Sequence, residues 1–413
     1  MTYPGIMPVD WEERLDPIRM NRERLAKAKQ ALDDSGLDAL LVNRTEDSRY
    51  LTGYRHHLGP AYIPGNGTVV LPKGGEPHLF MMDYEHCRQR MTWMDPSQIH
   101  PRVNFREKVG MKKFRGQVEE ALGSSLDGKT VGVDLWSPLM EEQLRAAFPK
   151  TEFVDGYYDV LMKAKITKTQ DELACLRMAN AMTDAAMDAA LRFMRPGVKE
   201  CEVLAVAWQT MTALGSEWTQ CSNIVTSGPY TAPYRRFTSD RIIQNGDLVI
   251  IDIGAGFNGY WGDLTRVYVC GNVRPTKEMK QAHQKVYNAV FDCARATKPG
   301  ATNAQVYDAA KGNALDGALG HGAGVNPWEA PFFSPASKDE PVTLKEGMVF
   351  NIEPYYGEMN RFGIRLENDH IVTRDGVEIY TKYPFDERLV IDLHEMDETT
   401  GRTREEDPVV GIR

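Results

Sequence analysis

An α/β domain followed by a larger α+β domain is the fold that the sequence predicts, on three observations. The chain has 413 residues, too many for one ordinary core and too few for three. Over about the first 150 residues, short β-type runs alternate with helix-like segments. Beyond them, helices come in pairs with strand hairpins between. Hydrophobic residues at 42% and charged residues at 26% are ordinary for a soluble globular chain, which excludes disordered, collagen-like and coiled-coil classes.

Ile18 to Ser35 has amphipathic helical spacing and leads into a strand-like run, Asp38 to Asn43. Gly67 to Leu71 and Thr130 to Val133 are further β-type runs. A boundary near residue 160 gives domains 1–160 and 161–395, with a polar, charged segment at 396–413 as a tail or partner-wrapping arm. Lys163 to Lys168 opens the second region. Thr169 and Glu172 have the spacing of a capping box, so a long helix starts there and stops at Arg195-Pro196-Gly197. A second helix spans Glu200 to Leu214. Strands are expected at Asn223 to Thr226, Leu248 to Ile253 and Thr265 to Val269. Helices follow at Thr276 to Lys298 and Thr302 to Leu319. The last strands are Met348 to Pro354, Gly363 to Leu366 and His370 to Thr373.

Charge and composition narrow the function. A net charge of −9 argues against binding nucleic acid, which needs surplus Lys and Arg to neutralise phosphates. No apolar run approaches the roughly 18 residues of a membrane span, so no membrane association is expected. Met1 to Leu15 lacks the basic and apolar parts of a signal peptide. The six cysteines are scattered without a CxxC pair, as for buried thiols in a reducing compartment. These features predict a cytoplasmic protein.

The chemistry lies in acids at strand ends. Asp252 closes the apolar run Leu248 to Asp252, and Asp263 precedes Leu264-Thr265-Arg266. Gly254, Gly256, Asn258 and Gly259 between them suit a hairpin that brings both carboxylates to one place. Glu353 and Glu367 repeat the arrangement, ending Met348 to Glu353 and Gly363 to Glu367. His321 sits among the glycines of Gly320 to Gly324. An acid at a strand end is ordinarily a capping or surface residue, and a single His is ordinarily structural. Four carboxylates and one imidazole in this order, without cysteine, form an oxygen-rich set suited to two divalent metals.

Several runs carry a resemblance. Leu40 to Gly53 (LLVNRTEDSRYLTG) is similar to the creatinase-type N-terminal domain, and Lys163 to Arg177 to the entry of its catalytic partner. Gly246 to Gly254 (GDLVIIDIG), Gly259 to Arg266 (GYWGDLTR), Gly320 to Gly324 (GHGAG) and Asn351 to Pro354 (NIEP) are specific matches. With them the chain resembles the superfamily of methionine aminopeptidase, prolidase, aminopeptidase P and creatinase. The resemblance implies a pita-bread catalytic domain behind a creatinase/prolidase-like N-terminal domain. It implies Asp252, Asp263, His321, Glu353 and Glu367 as ligands of two metal ions, with Asp263 and Glu367 bridging. Manganese, iron, zinc and cobalt all suit that set. It also implies a homodimer, in which His56 and His57 of one subunit are placed to reach the other's site.

The chain departs from the peptidases where they carry extra histidines. One belongs in a Pro-His segment upstream of the first acid, where this chain reads Ala232-Pro233-Tyr234-Arg235-Arg236. Another follows the ligand His, where Trp328 precedes Glu329-Ala330-Pro331. A third precedes it, where Gly317 stands. Imidazole moves protons near neutral pH, and neither Trp nor an ordinary Tyr does. Aromatic faces at Tyr234, Tyr260, Trp261, Trp328, Tyr355 and Tyr356 suit an onium cation or an apolar group. Arg235 and Arg236 suit a carboxylate. The expectation is a dinuclear metal hydrolase of a small amide or peptide-like C–N substrate, not an ordinary Xaa-Pro peptidase. Glu353 is the expected catalytic carboxylate, and Tyr234, Arg235, Trp261, Trp328, His56 and His57 the expected substrate contacts.

Two other readings stand beside this one, the first of them by resemblance. The dimethylsulfoniopropionate lyases of the superfamily are similar at Thr381 to Asp386 and also lack the peptidase histidines, but their extra Asp falls at Gly254 and their base at Pro327. A non-catalytic pita-bread interaction protein is the third reading, and it ordinarily requires lost ligands.

Overall fold

The computed structural model describes residues 15–55, 67–102, 108–217, 223–233, 236–314 and 317–390. His56, His57, Tyr234, Arg235 and the segment 396–413 lie outside them. Two compact units divide the chain, Met1–Glu172 and Leu173–Arg413.

The first unit is built on a six-stranded mixed sheet. Its strands are β1 (Ala39–Val42), β2 (Thr68–Pro72), β3 (His78–Met81), β4 (Ile99–Pro101), β5 (Thr130–Val133) and β6 (Glu152–Asp155), in the order β4-β3-β2-β1-β5-β6. β1 is the Ala-Leu-Leu-Val run, buried at every position, as a strand covered on both faces must be. It runs parallel to β5 and antiparallel to β2. One face packs Leu41, Val70 and Phe80 against Phe114 and Val118 of α4 (Lys108–Leu122) and Leu144 of α5 (Pro138–Ala147). The amphipathic N-terminal run forms α1 (Pro17–Ser35), whose cap Asp16 accepts the Arg19 N–H at 2.9 Å.

A short helix, α2 (Thr45–Thr52), lies inside the run quoted for its resemblance. It buries the polar Glu46, Asp47, Ser48 and Thr52 beside Tyr50 and Leu51, and this mixed face hid it from a reading by apolar periodicity. The Asp47 carboxylate and the Lys165 ammonium form an ion pair with side chains 0% and 1% exposed. Asp134 accepts the backbone N–H groups of Asn43 and Arg44 at 2.7 and 2.9 Å. Burial, then the neighbouring Asp47, pushes its carboxyl up to about 8.

The second unit follows from the helix pair α7 (Gln170–Phe193) and α8 (Glu200–Ala213). The expected capping box is present: Thr169 N donates to Glu172 at 2.8 Å and Glu172 N to Thr169 Oγ1 at 3.3 Å. A three-stranded sheet comprises β7 (Ile224–Ser227), β8 (Leu248–Ile253) and β11 (Leu264–Val269), in the order β11-β8-β7. Between β8 and β11 stand the two-residue strands β9 (Gly256–Phe257) and β10 (Tyr260–Trp261). Side chains alternate across β8. Val249, Ile251 and Ile253 pack on Ala186, Ala190, Val203 and Ala207 of the helix pair. Leu248 and Ile250 pack on Val286 and Val290 of α9 (Lys277–Ala296).

A five-stranded sheet uses β12 (Gly320–Gly322), β13 (Glu329–Phe333), β14 (Val349–Ile352), β17 (Asn368–Val372) and β18 (Val377–Ile379), in the order β13-β12-β14-β17-β18. β15 (Tyr355–Glu358) and β16 (Phe362–Arg365) form a separate hairpin. Two expectations need correction. The helix expected at Thr302 to Leu319 is α10, and it covers only Asn303–Ala309. The chain then turns through Gly312 at φ 86°, and Leu319 donates its N–H to Phe333 O at 2.7 Å. β13 was not foreseen, because a Pro within a run argues against a strand. Among the described residues no helix is long and apolar enough to cross a membrane.

Candidate metal centre

The hairpin that carries the first two acids is set by its turn. Asn258 and Gly259 have φ of 51° and 83°, the left-handed pair that matches the twist of tightly linked strands. Phe257 then faces Tyr260, and Gly256 faces Trp261. The register continues with Leu264 opposite Ile253 and Thr265 opposite Asp252. Alternation places Asp252 on the face of Leu248 and Ile250, and Asp263 and Thr265 on that same face with Val267. At Gly262 a Cβ would come within 2.8 Å of Thr183 Oγ1, so only glycine lets the hairpin lie against α7.

Glu367 reaches the pair from the turn between β16 and β17. Its N–H donates to Thr265 O at 3.1 Å, and its Oε2 accepts from Thr265 Oγ1 at 2.7 Å. Asp252, Asp263 and Glu367 thereby offer oxygens that all lie within 4.8 Å of one another. All three residues are buried. His321 comes from β12, which β13 and β14 flank closely. A Cβ on Gly320 would stand 2.1 Å from Asn351 O. His321 Nε2 lies 4.0 Å from Asp263 Oδ2 and 3.7 Å from Glu353 Oε1. Its Nδ1 faces Gly322 O at 3.1 Å. Glu353 follows β14, donates its N–H to Leu319 O at 2.7 Å, and forms an ion pair with the Arg365 guanidinium.

Electrostatics make this an acid cluster under stress. Burial, then the charges of Glu367, Asp252, Asp369 and Glu353, hold the Asp263 carboxyl well above its ordinary range. Burial also raises Glu367, against the pull of Arg365, Thr265 and Arg266. Arg365 is itself pulled down to about 10 by burial. Glu367 Oε1 is buried without a hydrogen-bond partner. Buried carboxylates that repel one another are costly unless a cation is shared between them. The donor set, hard oxygens with one imidazole, fits divalent transition metals.

Asp369, which the sequence reading passed over, belongs to the same surroundings. Its Oδ2 accepts the Asp263 N–H at 3.3 Å and the Asn180 amide at 2.5 Å. Burial, then Glu367, raises its carboxyl. Its one sequence signal was an acid two positions after Glu367, at the start of a strand.

The expected substrate residues are placed unevenly. Trp328 is 48% exposed, and its ring meets the His321 ring edge-on at 6.0 Å. Trp261 is buried, and its indole N–H donates to Val325 O at 3.0 Å, tying the segment after His321 to the hairpin. Arg236 is not free to clamp a substrate, because its guanidinium donates to both oxygens of the buried Glu200 at 2.7 Å. Tyr260 is fully buried. Tyr355 donates its hydroxyl to Thr231 O at 3.0 Å, and Lys285 lies 4.4 Å above the Tyr356 ring. His283 and His370 are buried against Tyr287 and Phe350, and burial lowers both to about 4. Both rings are therefore uncharged near neutrality.

Residues 174–374 match Metallopeptidase family M24, and residues 24–161 match the Creatinase/Prolidase N-terminal domain. The probable dipeptidase PepE of Mycobacterium tuberculosis is 32% identical over 362 residues, covering 86% of this chain and 92% of its own. The chain belongs to metallopeptidase family M24. The Xaa-Pro dipeptidase of Pyrococcus furiosus is 29% identical over 374 residues, covering 87% of this chain and 98% of that one. Among solved structures, dipeptidase PepE from Mycobacterium ulcerans superposes with a TM-score of 0.74 at 27% identity, covering 89% of this chain and 97% of its own. The protein is therefore a metal-dependent hydrolase with the pita-bread fold and a creatinase-type N-terminal domain. It works with two divalent metal ions, which the donor set leaves open among manganese, iron, zinc and cobalt.

Proposed function

We propose that Asp252, Asp263, His321, Glu353 and Glu367 would hold the two ions, and that the enzyme hydrolyses a C–N bond in a small amide or peptide-like substrate other than an ordinary Xaa-Pro dipeptide. The observation that carries this is a buried acid cluster beside His321 with the exposed Trp328 in place of an imidazole. When bound, the two ions acidify water and polarise a carbonyl. Glu353 accepts the proton of the attacking water at Oε1, and Arg365 orients that carboxylate. Trp328 presents an apolar face to the substrate and cannot take a proton. Tyr234, Arg235 and Trp261 complete the substrate side of this reading.

The catalytic domain is assigned to residues 161–395, supported by the family match at 174–374. A peptide-like substrate is supported by the relatives named dipeptidases. The lyase reading gains no support, since its base would fall at Pro327, whose side chain has no group to accept a proton. A screen of Xaa-Pro dipeptides, small amides and onium acids on metal-loaded enzyme tests the reading. The best kcat/KM is expected on a non-prolyl amide. A prolyl dipeptide as best substrate, or cleavage of an onium acid without hydrolysis, would defeat it.

The enzyme is further read as a cytoplasmic homodimer. Cys87, Cys201, Cys270 and Cys293 are free thiols, which suits a reducing compartment, and His56 and His57 are the candidates for a cross-subunit role. Sedimentation should give a dimer at working concentration. A fully active monomer would remove the cross-subunit role.

A further inference from the structure

Asn351 lies at the centre of the cluster, yet the sequence reading passed over it as part of a motif. It sits on β14 and is fully buried. Its Oδ1 accepts the His321 backbone N–H at 3.0 Å. Its Nδ2 donates to Asp263 Oδ2 at 3.3 Å and lies 3.2 Å from His321 Nε2. So short a side chain spans these groups because Gly320 lets β12 approach β14.

We propose that Asn351 is a positioning residue of the metal centre, its amide fixing Asp263 and His321 relative to each other; this rests on the metal-centre reading above. A carboxamide combines an acceptor with two donors on one planar group. Here the acceptor holds the strand of His321 and the donor holds the carboxylate of Asp263. The donor is neutral, so Asp263 is oriented without another charge entering a cluster that already repels itself. Gly322 O faces His321 Nδ1, which leaves Nε2 as the lone-pair nitrogen on the side of the acids. One amide thus ties together three segments that are remote in sequence.

Two substitutions separate this role from packing. Asn351→Asp keeps the shape and the acceptor for His321 N–H but removes the donor to Asp263. Asn351→Leu removes both. The probe is Co²⁺, followed by calorimetric titration and by its visible absorption, with circular dichroism as the check on folding. Wild type is expected to bind two Co²⁺ per chain. Asn351→Leu should weaken binding by about 10–100-fold, as for outer-shell partners of metal ligands. Asn351→Asp should fold normally and shift the Co²⁺ spectrum, because the orientation of Asp263 changes. A folded Asn351→Asp protein with the wild-type spectrum and affinities would overturn the proposal. Wild type that binds no Co²⁺ would overturn the metal-centre reading itself, and this proposal with it.

Discussion

Asp263→Ala combined with Glu367→Ala is expected to remove both metal ions and the activity together. Of the three carboxylates within 4.8 Å of one another, the double variant keeps only Asp252. Of the proposed ligand set Asp252, His321 and Glu353 remain, and two acids with one imidazole are too few to hold two divalent ions. Turnover should fall by at least about 10³-fold, because several kcal/mol of transition-state stabilisation goes with the metals. Metal analysis and steady-state kinetics on the same preparation read both effects. Full occupancy in the double variant would place the centre elsewhere.

The same variant should respond differently to pH once metal is stripped. Both carboxyls are held above their ordinary values in the fold, so the native state binds more protons than the unfolded state. Stability of stripped wild type therefore falls as pH rises above the ordinary carboxylate range. The double variant lacks these groups, so its melting temperature should depend on pH more weakly. Equal slopes for the two proteins would show that the repulsion is not felt.

What could be read in advance follows a physical division. Asp252 and Asp263 were legible because an apolar run, a glycine-rich turn and a second run specify a hairpin, and a hairpin specifies which side chains share a face. Glu353 and Glu367 follow β14 and β16, which lie in different sheets, so the hairpin logic does not account for their meeting. Asp369 was not legible, since nothing in a strand's sequence says that its acid will accept a hydrogen bond from Asp263. α2 was hidden because the helix buries Glu46, Asp47, Ser48 and Thr52 along with Tyr50 and Leu51, so no apolar stripe stands out. Arg236 looked available because its partner Glu200 is remote in sequence and becomes a neighbour only in the fold. Pairing across a turn is encoded locally; pairing between distant polar groups is not.

Trp328→His should lower activity on the best substrate and leave prolyl dipeptides poorly cleaved. The indole beside His321 supplies apolar contact surface, and a smaller ring gives some of it up. KM on the best substrate should rise by about tenfold, equivalent to about 1.4 kcal/mol. An imidazole placed alone is not expected to restore proton transfer, because Gly317 and Tyr234 still offer none. General acid–base catalysis contributes about 10²–10⁴-fold where it is complete. A gain of that size on a prolyl dipeptide, from this single change, would show a peptidase one step from function and defeat the altered-specificity reading.

The two-residue turn at Asn258-Gly259 also bears on how such an enzyme can change over evolutionary time. A one-residue insertion there would slip β11 against β8 and send Asp263 and Thr265 to the opposite face. The acids are therefore locked to a paired register and must be inherited together. Trp328 instead stands in the connection between β12 and β13, outside any ladder. A residue there is free to be replaced without moving a ligand. The fold thus keeps the register-bound acids apart from Trp328, whose replacement leaves that register intact.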